Sequence, residues 1–167
     1  MNSSNSRNEA VLICDTGPVL ALARINFLPV LHELFPRCLL TEVVLAECLG
    51  KPMSFDALVI QESVKSNILD VVRAPPARAA LTQLDFGERS VIEYALRHKA
   101  IALLDERHAR EIARQLDVRV IGSIGVILLA KRKCYIDSAM YCIRRLVDSG
   151  YYLSPELVEQ SRILAGE

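Results

Sequence analysis

Two short hydrophobic runs stop on an aspartate, Ala10-Val-Leu-Ile-Cys14 on Asp15 and Ile101-Ala-Leu-Leu104 on Asp105. Apolar runs of this length, bounded by polar residues, are the pattern of strands covered on both faces. Further segments of the same kind complete a set of predicted strands over Val11–Cys14, Arg37–Leu40, Ile68–Val72, Ile101–Leu104 and Val118–Ile121. Between them apolar residues recur at helical spacing, which predicts helices over Pro18–Ile25, Phe27–Leu34, Glu42–Leu49, Phe55–Val64, Gly87–His98 and Glu106–Leu116. Beyond the last strand the pattern is helical only: Ile124–Arg132, Asp137–Val147, and a helix entered through Ser154-Pro155, with Gly150 as a stop signal before it. Alternating strands and helices predict an α/β domain with a central parallel sheet, here followed by a helical C-terminal segment. The carboxyl ends of parallel strands open onto a ligand crevice, so Asp15 and Asp105 are expected to share one site.

Each acid has a plainer reading beside the functional one. Asp15 and Asp105 both precede helical segments, and aspartate is a favoured helix N-cap. Their repeated strand-then-acid construction, Asp15-Thr16 and Asp105-Glu106, favours a shared pocket. Glu47 is the one charged residue in Val43-Val-Leu-Ala-Glu-Cys-Leu49, so it is expected to face a polar pocket, whereas Glu42 at the helix start answers to the helix dipole. In the Gly87–His98 helix, Glu88 falls within the stripe of Val91, Ile92, Ala95 and Leu96, while Arg89, Glu93 and Arg97 fall on the far side. A carboxylate is thereby aimed at the core. Its plainer reading is a capping box, with Asp85 as N-cap and Glu88 reaching back to the Asp85 amide. Four carboxylates converging on one pocket repel one another unless a divalent cation joins them.

Composition narrows the class without choosing within it. The chain has 167 residues, 51% of them hydrophobic, enough for one sizeable core and one domain, expected over 10–167. Twenty basic residues balance twenty acidic ones, so attraction for a polyanion has to come from a local patch. The five cysteines include no Cys-x-x-Cys pair and mostly lie in apolar runs, which reads as reduced core cysteine of a cytoplasmic protein. His32, His98 and His108 lack metal-ligand spacing. Residues 1–9 are polar and read as a disordered tail without the apolar core of a secretory signal, and no apolar stretch is long enough to span a membrane. One local patch does stand out. In the helix after Asp105, Ala109, Ile112, Ala113 and Leu116 form a buried stripe, and Arg107, Arg110 and Arg114 cluster opposite it, a basic ridge leaving an acidic pocket. Lys131-Arg-Lys133 and Arg144-Arg145 are candidates to extend it; Glu111 beside it supports the alternative of an ordinary solvated face.

The order Asp15-Thr16-x-Pro18, Glu47, Gly87-Glu88, Asp105-Glu106 with Arg110, then Gly122-Ser-Ile-Gly125-Val-Ile-Leu-Leu-Ala-Lys131, resembles the PIN-domain superfamily. More narrowly it is similar to a prokaryotic PIN-like family akin to VapC-type toxins of toxin–antitoxin pairs, over nearly the whole chain from Val11 to Glu167. The resemblance implies a three-layer α/β/α domain with a Mg²⁺- or Mn²⁺-dependent nuclease site, usually acting on RNA. By position, Asp15, Glu47, Glu88 and Asp105 match the catalytic and metal-binding quartet, and Glu106 stands where an auxiliary metal-site acid is often found. Gly17 replaces a common serine, leaving Thr16 as the only hydroxyl there, expected with Arg107, Arg110 and Arg114 on the nucleic-acid side; Arg110, which matches the family's recurrent arginine, has the alternative of pairing with Glu106 or another site acid to set its orientation. Cys134 replaces a usual glycine, which bears on a turn. The expected partners are single-stranded RNA, a small antitoxin protein and a second copy in a homodimer, with no membrane. Chemically, an all-oxygen donor set suits Mg²⁺ and suits zinc poorly. Two other classes stay open: a catalytically inactive nucleic-acid-binding or protein-interaction module whose acids bind metal or a basic partner, and a phosphotransfer receiver, which fits poorly because it needs a lysine where Gly122-Ser123 follows the last strand.

Overall fold

The structure is a computed structural model and describes residues 10–167; the polar tail read as disordered, residues 1–9, lies outside the described residues. The elements run β1 (Val11–Cys14), α1 (Thr16–Arg24), α2 (Leu28–Leu34), β2 (Arg37–Thr41), α3 (Glu42–Cys48), α4 (Phe55–Lys65) and β3 (Asp70–Val72). They continue as α5 (Phe86–His98), β4 (Ile101–Leu103), α6 (Arg107–Gln115), β5 (Arg119–Ile121), α7 (Ser123–Arg132), α8 (Ala139–Asp148) and α9 (Pro155–Ala165), with a short 3-10 turn at Ala79–Leu81. The strands form one parallel sheet in the order β3-β2-β1-β4-β5, covered by helices in a three-layer α/β/α arrangement. The expected fold class is the observed one. β1 is central, and Leu12, Ile13 and Cys14 are wholly buried, which is why that strand reads as an uninterrupted apolar run.

Element ends differ from the sequence reading where a neighbouring helix closes. Ile68 and Leu69, expected in a strand, donate their amides to Ser63 O and so terminate α4, with Asn67 in the left-handed region at φ 58°; ladder pairing starts only at Asp70. Val118 likewise donates to Ala113 O at the end of α6, and β5 starts at Arg119. Asp137 precedes α8 rather than opening it, because the Ser138 hydroxyl accepts the Tyr141 amide as N-cap. The Cys134 turn has φ 60°, the conformation a glycine adopts most readily. The five cysteines are unbridged, and four are buried, Cys134 being exposed.

One surface expectation is overturned. Glu93, assigned by periodicity to the outer side of α5, is 1% exposed. The loop that carries Pro76 and Arg78 folds over that side, and Glu93 pairs with Arg78 at 2.9 Å and Arg97 at 2.8 Å. The Arg78 hydrogen bond, ahead of the smaller help from Arg97, holds the Glu93 carboxyl down at about 2. Helical period alone cannot register a loop that arrives from elsewhere in the chain.

Parallel register fixes the position of the site. Cys14 pairs with Leu103, and the Asp15 amide donates to Leu103 O at 3.1 Å, so Asp15 and Asp105 leave adjacent strands at nearly the same level. β2 lies on the other side of β1 and ends at Thr41, where α3 begins. α5 packs against β1, β2, β4 and α3, bringing its N-terminus to the same edge.

Candidate active site

Asp15 occupies the N-cap position of α1, yet its side chain makes no capping bond, which removes the structural reading of this acid. It is 8% exposed. Burial raises its carboxyl from an ordinary 3.8 to about 7; the Thr16 amide opposes the rise, while the Asp85, Glu88 and Glu47 carboxylates add to it. Asp15 is therefore an acid that the bare pocket holds near neutrality, with other carboxylates around it.

Glu47 projects from the last turn of α3 and is more open to solvent than a pocket-facing reading of that helix suggested. Its Oε2 accepts the Thr16 hydroxyl, so the sequence-expected Thr16 is oriented toward Glu47 from the first turn of α1. The same oxygen lies 2.5 Å from where a Cβ on Gly87 would stand. A residue other than glycine at the start of α5 would displace the carboxylate. A hydrogen-bonded chain fixes this approach: Ser90 Oγ donates to Gly87 O at 2.8 Å, and Thr41 Oγ1 lies 2.7 Å from Ser90 Oγ while capping α3 through the Val44 amide.

Glu88 combines both of its readings. The capping box forms, with Asp85 Oδ1 accepting the Glu88 amide at 2.8 Å and Glu88 Oε2 accepting the Asp85 amide at 3.2 Å. Glu88 is also 8% exposed, and burial raises its carboxyl above the ordinary value, with Asp85 and Glu106 adding and the Asp85 amide and His108 opposing. Glu106 is exposed and caps α6 through the His108 amide at 3.4 Å, so Asp105 is not that helix's cap.

Asp105 is instead held by the neighbouring connection. Its Oδ1 accepts the Ser123 amide at 2.7 Å, at the N-terminus of α7, and its Oδ2 accepts the Ser123 hydroxyl and the Tyr151 phenol, each at 2.6 Å. A carboxylate oxygen carries two lone pairs, so Oδ2 is filled and Oδ1 retains one. Gly122 leaves room for this arrangement, since a Cβ there would stand 3.1 Å from Asp105 Oδ1. Burial, and then the adjacent Asp105 charge, push the Tyr151 phenol well above its ordinary range. Arg110 is half-buried near this end of the site, 3.5 Å from the same Gly122 Cβ position through Nη1, and its buried Nε has no hydrogen-bond partner among the described residues. Arg110 thus sits apart from the open ridge and toward the site acids, the second of its two expected places. Arg107 and Arg114 are exposed, and Arg107 pairs with Glu111 at 2.8 Å.

Gly87 and Ser123 entered the sequence analysis only as parts of quoted motifs, without a role of their own, and Thr41, Ser90 and Tyr151 did not enter it. Gly87 left a signal, since glycine in the first turn of a helix costs stability relative to alanine and points to a close approach. Tyr151 left none, because its relation to Asp105 arises only when the C-terminal helices fold back. Among the described residues, no group of three His, Cys, Asp or Glu side chains stands close enough to form a ready cation cage. The acids gather at one edge of the sheet without forming a closed ligand set.

The acids stand at the carboxyl edge of a five-stranded parallel sheet in an α/β/α domain, the place where open sheets of this kind bind their ligands. A family model described as a PIN domain matches residues 11–167, and the chain belongs to that family, whose members are commonly nucleases that use divalent metals. Neither a curated protein nor a solved structure matches the chain significantly.

Proposed function

We propose that the protein is a divalent-metal-dependent ribonuclease that hydrolyses phosphodiester bonds in RNA, and that it acts as the toxin of a toxin–antitoxin pair. The observation that carries this reading is Asp15, a carboxyl only 8% exposed at the carboxyl end of the central strand that makes no capping bond, its burial and the acids around it raising it above its ordinary value. Such a group is poorly accommodated by the bare protein and well accommodated beside a cation.

The donor chemistry fits Mg²⁺ or Mn²⁺. Asp15, Glu47 and Glu88 would hold the ion with Asp105 contributing its remaining Oδ1 lone pair, and Glu106 lies near Glu88 as an outer acid. An open set suits Mg²⁺, which keeps several waters and needs only one or two direct carboxylates. When bound, such an ion lowers the pKa of a coordinated water and offsets charge that builds on phosphate oxygens. The chain supplies orientation: Thr16 holds Glu47, Ser123 and Tyr151 hold Asp105, and the half-buried Arg110 guanidinium lies near Asp105 at the Gly122 end of the site. Arg107 and Arg114 give the approaching RNA backbone an exposed cationic edge.

The open spacing of the acids favours one competing reading, a PIN module that binds nucleic acid or a protein without cleaving it. Incubating the protein with unstructured RNA in Mn²⁺, with and without chelator, decides between them. Cleavage abolished by chelator and by Asp15→Asn supports the ribonuclease; intact RNA with retained binding supports the module. Growth arrest relieved by co-expressing a small protein encoded beside it tests the toxin role. No helix among the described residues is long and apolar enough to cross a membrane.

A further inference from the structure

A cleft of about 570 Å³ opens beside Glu47, between α1, the end of α3 and the start of α4. Leu20 and Arg24 line it from α1, and Thr16 precedes them on the same side of that helix at the same spacing of four. Thr16 donates its hydroxyl to the Glu47 carboxylate, and Arg24 lies eight residues further on, so the cleft leads away from that acid for about 12 Å at roughly 1.5 Å per residue. It is continuous with the site through Glu47 itself.

The charges that line the cleft are not all matched. Arg24 is neutralised by Asp56, its Nε standing 2.9 Å from Asp56 Oδ2. Glu47 belongs to the acids that would hold the metal. That leaves Lys51, exposed on the connection from α3 to α4, whose ammonium makes no ion pair among the described residues. Its backbone, by contrast, is fixed. The Gly50 amide donates to Glu47 O at 3.1 Å, where a Cβ on Gly50 would stand 3.2 Å from that oxygen, and Lys51 O accepts the Ser54 amide at 3.0 Å and the Ser54 hydroxyl at 2.9 Å. A placed backbone thus carries a free point charge next to a metal-site acid, which suits an anion tethered to whatever occupies that site. In a nucleic-acid strand the tethered anion is the neighbouring phosphate.

We propose that Lys51 binds the substrate phosphate adjoining the scissile one, and that the cleft along α1 holds the nucleotide that carries it. This proposal rests on the nuclease reading of the acids and adds the direction in which the strand leaves them. The cleft lies on the β2 side of the central strand, whereas α6 with Arg107 and Arg114 follows β4 on the other, so the strand is held on both sides of the acids. The volume falls within the range of small-ligand sites, roughly 300–1,000 Å³, and a nucleotide is a ligand of that class. A contact to the backbone contributes affinity without reading the base.

The test uses full-length Asp15→Asn protein, so that RNA survives, and follows the fluorescence anisotropy of short single-stranded RNAs of unrelated sequence between about 50 and 200 mM salt. Lys51→Gln, Lys51→Arg and Lys65→Gln are added in turn; Lys65 is an exposed cation at the far end of α4 and serves as the control. Lys51→Gln should weaken binding by up to about fivefold, as loss of an exposed ion pair does, and lower the salt slope by about 0.7, the share of one single-strand phosphate contact. Lys51→Arg should restore both, and Lys65→Gln should change neither. Lys51 is exposed, so folding is expected to be kept, which the melting temperature checks. In the cleaving protein Lys51→Gln should raise KM and leave kcat unchanged, because the phosphate it holds does not react. An unchanged salt slope in Lys51→Gln overturns the proposal, as does an equal loss in Lys65→Gln, which would mark diffuse attraction. A fall in kcat with KM unmoved overturns it as well, by placing Lys51 at the scissile phosphate. Failure of the nuclease reading shows separately, as absence of chelator-sensitive cleavage by the unaltered protein.

Discussion

Asp15→Asn separates electrostatic strain from structural need in the acidic pocket. In the metal-free folded state the Asp15 carboxyl is raised by burial from 3.8 to about 7. A carboxyl raised on folding favours the folded state fully only below its unfolded value, and that contribution disappears as pH climbs through its folded value. At about 1.36 kcal/mol for each unit of difference, the full effect is of order 4 kcal/mol, and roughly 3 kcal/mol of it falls between about pH 4.5 and pH 8.5. Asparagine does not ionise and makes no demand on the pocket. Urea unfolding of both proteins in chelator should therefore show the unaltered protein losing stability relative to Asp15→Asn across that range, with Glu88 present in both. Adding Mn²⁺ at pH 8 should restore the unaltered protein, by about 2.7 kcal/mol at a hundredfold excess over its Kd, and leave the variant unmoved. Two stability curves that stay parallel from acid to alkaline pH would refute the reasoning.

Gly87→Ala places a methyl group 2.5 Å from Glu47 Oε2. Because that atom is the end of a flexible side chain, unfolding free energy should change by less than about 1 kcal/mol. Cleavage should nevertheless fall by roughly a hundredfold, since small misplacements of a site group can cost that much; unchanged turnover would show that the Glu47 position is immaterial. Tyr151→Phe removes a 2.6 Å donor to Asp105 Oδ2 and should cost about 1–3 kcal/mol in denaturant titrations while weakening Mn²⁺-induced stabilisation; a full metal response would confine Tyr151 to structure. Glu93 is held at about 2, chiefly by Arg78, so its contribution is present above the ordinary carboxylate value and is lost as pH falls toward 2. Glu93→Gln should cost roughly 2 kcal/mol at neutral pH, discounted because Arg78 and Arg97 are half exposed, with the difference shrinking in acid; a difference independent of pH would mean that the pair is not ionic.

What the chain determines locally is visible in its hydrophobic pattern. A strand covered on both faces has to be apolar throughout, so β1, β2 and β4 announce themselves, and their alternation with helices leaves a parallel sheet as the arrangement that buries them. Parallel strands present their carboxyl ends together, which is why Asp15 and Asp105 could be assigned to one edge from sequence position alone. The capping box of Glu88 and its burial were both legible because the capping-box spacing and the core-facing stripe are local properties of one helix.

The rest was decided by tertiary structure, because it depends on atoms that approach from distant parts of the chain. Glu93 turned inward because the Arg78 loop covers it; Gly87 is small because Glu47, from another helix, packs against it; Arg110 leaves its ridge near the same Gly122 that makes room for Asp105. Tyr151 reaches Asp105 from the C-terminal helical region, a hydrogen bond with no local sequence signature. Periodicity records which side of an element is apolar, whereas the protonation of Asp15, the filled lone pairs of Asp105 and the cleft shared by Glu47 and Lys51 depend on distances between elements, which only the packed chain defines.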